Sequence, residues 1–173
     1  MRKMMLAMAV SGLAMLAGAA YAGDAKYTAD DVVGALLKSA DIGATRGICV
    51  GTAAECAQSA KPAGFDVMVN FELASATLTP DAVDNLKQVA TALADPRLSG
   101  AKFAIEGYTD ARGTEVYNQG LSTERAKSVA SYLMSQGVPA ERLVAVGNGE
   151  ASPRVADPYD PVNRRVEMRI NLN

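Results

Sequence analysis

Residues 105–126, IEGYTDARGTEVYNQGLSTERA, end an alternating strand on an acid and set an arginine into the helix that follows. Ile105 closes an apolar alternation begun at Phe103, and residues 107–110 leave the strand. The stretch 111–120 then reads as a loop, in which Gly113 and Gly120 permit positive φ and close backbone approach. Ser122 stands where an N-cap would open a helix, which puts Arg125 in its first turn. A cation there opposes the positive end of the helix macrodipole, at a cost of ~0.3–1 kcal/mol, so helix formation alone does not account for it. An incoming carboxylate would meet the guanidinium fork and the free N–H groups of a helix start together, while Asp110 takes an ammonium beside it. The arrangement suits a zwitterion. Asp110 and Arg125 would equally make a structural salt bridge between loop and helix, a contact that often contributes little.

Working outward, both flanks repeat a strand-then-helix pattern. Phe65, Val67, Val69 and Phe71 alternate with smaller or polar residues, predicting a strand over 65–71 with one face in the core. Thr79-Pro80-Asp81 supplies a cap, a proline at the first helical position and an acid in the first turn. Val83, Leu86, Val89, Ala90 and Leu93 form the apolar stripe of that helix, and Asp95-Pro96 with Gly100 turns the chain back. Beyond the central stretch, Ala126, Val129, Ala130 and Leu133 face inward on the second helix, which Gly137 and Pro139 stop. A short strand covers 143–146. The last strand, 165–172, alternates Val166, Met168, Ile170 and Leu172 with Glu167, Arg169 and Asn171, predicting one dry face and one solvated charge ladder. Of the two arginines entering it, alternation sets Arg165 opposite Val166 and leaves Arg164 free for another task. The expected fold is an α/β (α+β) two-layer sandwich of βαβαβ type, with helices on one side of a mixed sheet.

The segments GYTDARGTEVYNQGLSTERAKSVASYL, GVPAERLVAVGNGEASP and NRRVEMRI, with VNFELASATLTPDAVDNL ahead of them, resemble in order and spacing the OmpA-like C-terminal domain, a peptidoglycan-binding module. The resemblance covers residues 65–173. It implies the same sandwich fold and binding of the diaminopimelate residue of the peptidoglycan stem peptide. The aspartate of the family falls on Asp110 and its arginine on Arg125, while Thr109, Asn118 and Leu121 fall on other pocket positions. Asn118 has both a donor and an acceptor for a peptide amide, although asparagine before a helix is also ordinary turn chemistry. Where the family usually carries histidine, this chain has Tyr108.

Residues 1–22 read as a secretory signal peptide, with Arg2 and Lys3 as a charged start, an apolar run over 4–17 and Ala20-Tyr21-Ala22 as a cleavage site. The apolar run is shorter than the ~20 residues a membrane span requires, and no later segment is long and apolar enough, so no transmembrane anchor is expected in the mature chain. Because the segment carries two cations and no acid, its removal takes the formal net charge from −2 to −4. A mildly acidic chain without a basic block argues against nucleic acid as a partner. The expected location is the periplasm of a Gram-negative bacterium, within the cell envelope, with association with the outer membrane left open.

Residues 23–64 form a lead-in in which Thr28 caps a short helix with Val32, Val33, Leu36 and Leu37 on one face. The segment is too short for its own core and is expected to pack on or beside the main domain. Cys49 and Cys56 follow in a glycine- and alanine-rich stretch, and in an oxidising compartment a disulfide is expected, worth roughly 2–3 kcal/mol in the chain-entropy model. A redox-active pair is disfavoured, since the spacing is not C-x-x-C and no basic residue adjoins to lower a thiol pKa. The chain has no histidine and no G-x-S-x-G, H-E-x-x-H or phosphate-loop pattern, so neither enzyme activity, a cofactor nor a metal is expected. Glu106 and Asp110 are nominal carboxylates for glycan hydrolysis, with no second acid placed opposite them. The alternative function is that of an adaptor whose lead-in binds an envelope protein partner while the main domain tethers it to the wall.

Overall fold

The computed structural model describes residues 26–44, 65–67, 69, 71 and 74–171. The expected signal peptide over 1–22 and the expected Cys49–Cys56 disulfide lie outside them. The elements in chain order are α1 (Ala29–Ala44), β1 (Phe65–Asp66), α2 (Pro80–Leu93), β2 (Lys102–Tyr108), α3 (Glu115–Ser135), β3 (Leu143–Gly147) and β4 (Arg165–Asn171). The four strands form one mixed sheet in the order β1-β4-β2-β3, with β2 and β3 parallel and β4 antiparallel to both its neighbours. The helices cover one face, as the two-layer reading expects.

The core follows the strand alternation. Phe103 and Ile105 from β2, with Val166 and Met168 from β4, are fully buried beneath Leu86, Val89 and Leu93 of α2 and Ala126, Val129 and Leu133 of α3. The cap of α2 forms as its residues imply, since Thr79 Oγ1 accepts from Ala82 N at 3.3 Å. Gly137, at φ +93°, ends α3 in the left-handed region.

The first strand is shorter than its alternation implies. Among the described residues, Phe65 and Asp66 pair with β4; Val67 N then donates to Val166 O, and Phe71 makes an isolated bridge to Leu78. Val67 and Val69 are nonetheless buried, so here the period-two pattern serves the core rather than a ladder.

Helix α1 is longer than the short helix expected, at 16 residues, and it belongs to the same core: Val32, Val33 and Leu36 are at most 2% exposed. Tyr27 donates to Val67 O at 2.7 Å and meets the Phe65 ring edge-on at 5.0 Å, which fastens the entry of α1 to the sheet edge. Its N-terminus is a reciprocal cap, with Thr28 N donating to Asp31 Oδ2 at 2.9 Å and Asp31 N to Thr28 Oγ1 at 3.3 Å. Because Thr28 is exposed, Thr28→Ala removes chiefly the cap, with an expected loss of about 1 kcal/mol. Urea titration checks this; an unchanged midpoint would mean that α1 is held by its apolar face alone.

The largest departure is the start of α3. It opens at Glu115, with Thr114 Oγ1 accepting from Tyr117 N at 3.2 Å, and it runs through Gly120 and Ser122. Its inward face is Asn118, Ser122, Arg125, Ala126, Val129, Ala130 and Leu133. The first three are polar, so the apolar period that marks a helix in the sequence begins only at Ala126. Ser122 is no cap: its hydroxyl donates to Gln119 O and accepts from Gly149 N at 2.9 Å, joining the helix to the turn after β3.

The far face of the sheet also differs from expectation. The register sets Asp66, Glu167 and Glu106 in one row and Arg165 beside Tyr108. Glu167 and Arg165 are only 5% and 8% exposed, because residues 152–154 lie over them: Ser152 O accepts from Arg165, and Arg154 reaches Glu167 at 3.0 Å and also pairs with Asp66. What alternation reads as a solvated ladder is a covered ionic network. Alternation had no means of seeing the loop that covers it.

Candidate functional site

Asp110 stands two residues past β2, held by the backbone on both sides: Thr109 N donates to Gly149 O at 2.8 Å and Ala111 N to Pro158 O at 2.9 Å. Asn118 adds a third tie from α3, its Nδ2 reaching Asp110 O at 3.3 Å and Glu150 Oε2 at 2.6 Å. Gly113, at φ +106°, turns the chain from this loop into α3. The carboxylate accepts from Arg112 N at 3.1 Å, Arg112 Nη1 at 2.8 Å and Arg164 Nη1 at 2.7 Å. Burial alone would raise its pKa, but the Arg164 hydrogen bond, the Arg112 N–H and the two guanidinium charges together hold it below the ordinary carboxylate value.

Arg125 is 6% exposed and lies in the third turn of α3, about 15 Å along the axis from its start. The macrodipole therefore does not oppose it, and the amides around it are spent in the helix ladder, so the expected cluster of free N–H groups beside Arg125 is absent. Its Nε donates to Ser75 O at 3.1 Å and its guanidinium lies over the Phe71 ring, 5.0 Å from the centroid. Among the described residues no carboxylate pairs with it: the salt bridge to Asp110 does not form, because Arg112 and Arg164 occupy that acid. Burial first, and the nearby Arg164 charge second, lower the Arg125 pKa from its ordinary value.

Asp110 and Arg125 line one open cavity of about 500 Å³. Arg112 and Arg164 add two further cations to its wall, Phe71, Ala74 and Leu121 its apolar part, and Tyr117 and Asn118 the remainder. Of the residues singled out in the sequence, Asp110, Arg125, Asn118 and Leu121 come together here, whereas Thr109 is buried outside the lining with its Oγ1 unpaired. Sequence reasoning missed Arg112, Phe71, Ala74 and Tyr117, and it left Arg164 without a position. Arg112 had a signal, being two residues from Asp110; Arg164 is 54 residues away and had none.

Tyr108 is turned away from the cavity. Its hydroxyl donates to Glu106 Oε2 at 2.6 Å on the far face, under the Arg165 guanidinium at 3.9 Å, and burial with the Glu106 carboxylate pushes its pKa up to about 12. Tyr108 thus belongs to the far-face network and not to the cavity lining. Glu106 belongs to that network too, so it does not face Asp110 across a common site. No group of acids that could hold a metal ion occurs among the described residues.

The sequence profile of the OmpA family matches residues 70–167, more than half of the chain. Outer membrane protein A of Escherichia fergusonii is 39% identical over 103 residues, covering 60% of this chain and 42% of that relative. Outer membrane protein A of Escherichia coli O157:H7 matches equally, over 29% of its length. The chain thus spans less than half of these relatives. Among solved structures, the peptidoglycan-associated lipoprotein from Burkholderia pseudomallei superposes with a TM-score of 0.53 at 29% identity, covering 60% of this chain and 88% of that one. The OmpA-like domain of FopA1 from Francisella tularensis subsp. tularensis SCHU S4 gives 0.53 at 26% identity, covering 60% and 71%.

Proposed function

This chain belongs to the OmpA family, and on that premise we propose that it binds peptidoglycan non-covalently, through the diaminopimelate residue of the stem peptide. One observation carries the reading: a guanidinium nine-tenths buried, without a counter-ion among the described residues, on the wall of the cavity that also holds Asp110. A desolvated, unpaired cation is costly unless an anion completes it. The carboxylate of an amino-acid zwitterion would dock on the free Nη atoms of Arg125, and its ammonium on Asp110. Arg112, whose side chain is largely exposed, would swing aside to free Asp110 at little cost. Leu121 and Phe71 would flank the methylenes. Asn118 would act by holding the Asp110 loop, and Thr109 through its backbone alone. The likeness to a peptidoglycan-associated lipoprotein supports the same partner.

The location follows as part of the proposal: an envelope protein of a Gram-negative bacterium, working in the periplasm. No described helix is long and apolar enough to cross a membrane. For the adaptor alternative, the described part of the lead-in offers little, because α1 spends Val32, Val33 and Leu36 inside the core.

Co-sedimentation of the purified protein with isolated sacculi tests the reading. Charge-assisted hydrogen bonds contribute about 1.5–3 kcal/mol, so Asp110→Ala and Arg125→Ala should each weaken binding at least ~10-fold while retaining the wild-type circular dichroism spectrum. Folded variants that sediment like wild type would reduce both residues to structure. Equal binding of a stem peptide amidated on the side-chain carboxylate of diaminopimelate would refute the zwitterion mechanism.

A further inference from the structure

We infer that Arg125 and Arg164 divide this site into two lobes, and that the smaller lobe takes a second carboxylate of the same peptide, the main-chain carboxylate of a stem that ends on diaminopimelate. The inference rests on the wall-binding reading above. Adjoining the main cavity is another of about 230 Å³, lined by Val69, Phe71, Arg125 and Arg164. The two share Phe71 and both arginines. They differ in acid content among the described residues: Asp110 lines the larger and no described acid lines the smaller. A cleft walled by two guanidinium groups without a carboxylate attracts an anion and repels an ammonium. It therefore duplicates only half of the zwitterion site.

The donors are available. Arg125 commits Nε to Ser75 O, and its Nη atoms have no acceptor among the described residues. Arg164 commits Nη1 to Asp110, leaving Nε and Nη2. The Phe71 ring beneath the Arg125 guanidinium holds the fork between the lobes; burial and then the Arg164 charge lower the Arg125 pKa, and the repulsion between the two arginines is relieved when an anion lies between them. The volume, more than seven times the ~30 Å³ of a water molecule, has ample room for a carboxylate and the carbon that bears it. Diaminopimelate has two amino-acid ends a few bonds apart. With one in the side chain, the other lies in the main chain, where it is a carboxylate if the stem stops there and a neutral amide if the stem continues.

Calorimetry of the full-length protein with two synthetic stem peptides tests this. Both keep the side-chain zwitterion free; one ends on diaminopimelate as the main-chain carboxylate, the other as the carboxamide. The acid is expected to bind at least ~10-fold more tightly, in line with the loss of one charge-assisted contact. In Arg164→Gln that ratio should fall to about twofold or less, whatever the variant does to overall affinity through its bond to Asp110; a purely structural role would lower both affinities and keep the ratio. Equal affinities for wild type, or an unchanged ratio in Arg164→Gln, would overturn the second lobe and leave the zwitterion site standing. Failure of both peptides to bind would overturn the wall-binding reading and this inference with it.

Discussion

Gly107→Ala is expected to lose about 3 kcal/mol of folding stability or more, at or above the top of the usual range for overpacking, from the addition of a single methyl group. The reason is room. Gly107 pairs with Gly147 across β2 and β3, and α3 crosses the sheet over this pair. A Cβ at Gly107 would stand 2.2 Å from the backbone oxygen of Ser122, and one at Gly147 would stand 2.1 Å from Thr123 Oγ1 and 2.6 Å from Thr123 N. At Gly107 the obstacle is a helix carbonyl that cannot rotate away, so the helix itself must lift. Arg125 and Asn118 ride on that helix, so ligand affinity should fall with stability. Neither glycine has a positive φ, which separates this effect from backbone strain. Gly100→Ala is the control, because a Cβ there meets nothing within 4 Å, and its effect should stay within about 0.5 kcal/mol. A Gly107→Ala change under about 1 kcal/mol in urea unfolding would show that α3 can ride higher on the sheet than its packing implies.

Glu167→Gln is expected to cost about 3–5 kcal/mol, the range for breaking a buried ion pair from one side. Three guanidinium groups converge on this carboxylate: Arg165 at 2.7 Å, Arg154 at 3.0 Å and Arg169. Removing its charge leaves Arg165, 8% exposed, with neutral partners only: the glutamine amide oxygen, Asn163 O, Ser152 O and the Tyr108 ring. Arg154→Ala, at a side chain one-third exposed, should cost much less. For Glu167 itself, burial pulls the pKa up and the Arg165 and Arg154 hydrogen bonds pull it down, and the net shift is downward. A carboxylate with a lowered folded pKa contributes stability that is fully present above its unfolded value, ordinarily near ~4.3, and is lost as pH falls through the folded value. Wild-type stability should therefore drop steeply below about pH 4, with Asp110 adding in the same direction, and Glu167→Gln should have the flatter acid limb. Thermal midpoints would show the neutral-pH gap as about 10 °C or more. A gap near zero would mean that desolvation of the four charged groups already cancels their attraction.

The elements that were legible in the sequence carry their signals within a few residues. Thr79-Pro80-Asp81 sets the start of α2, and the alternation over 103–105 and 165–170 sets β2 and β4. Thr28 marks the start of α1, although neither its pairing with Asp31 nor the burial of the helix in the common core was legible. The first two turns of α3 were not legible, since Asn118, Ser122 and Arg125 put polar atoms where the helical period predicts apolar ones. They face inward because each meets a partner supplied from elsewhere: the Asp110 loop, the Gly149 amide and Ser75 O.

The site divides in the same way. That Asp110 would leave a strand end as a candidate acid could be read from residues 105–110, and Arg125 was conspicuous as an unexplained cation. Their relation was not readable, because Arg164 arrives from the turn before β4 to take the acid, leaving Arg125 with Ser75 O and the Phe71 ring and with no carboxylate among the described residues. On the far face, Glu167 and Arg169 look solvated until Arg154 and Ser152 fold over them.

By itself, then, the sequence determined the order of strands and helices and the two-layer class, which rest on caps, turns and periodicities that act over a few bonds, and its motifs carried the resemblance to the family. The tertiary structure alone decided which charges are buried, which acid each arginine holds and how closely α3 approaches the sheet. Those outcomes depend on strand register and on segments that return from 13 residues away over the far face and from 50 or more at the cavity, and desolvation acts on a side chain only once that covering is in place.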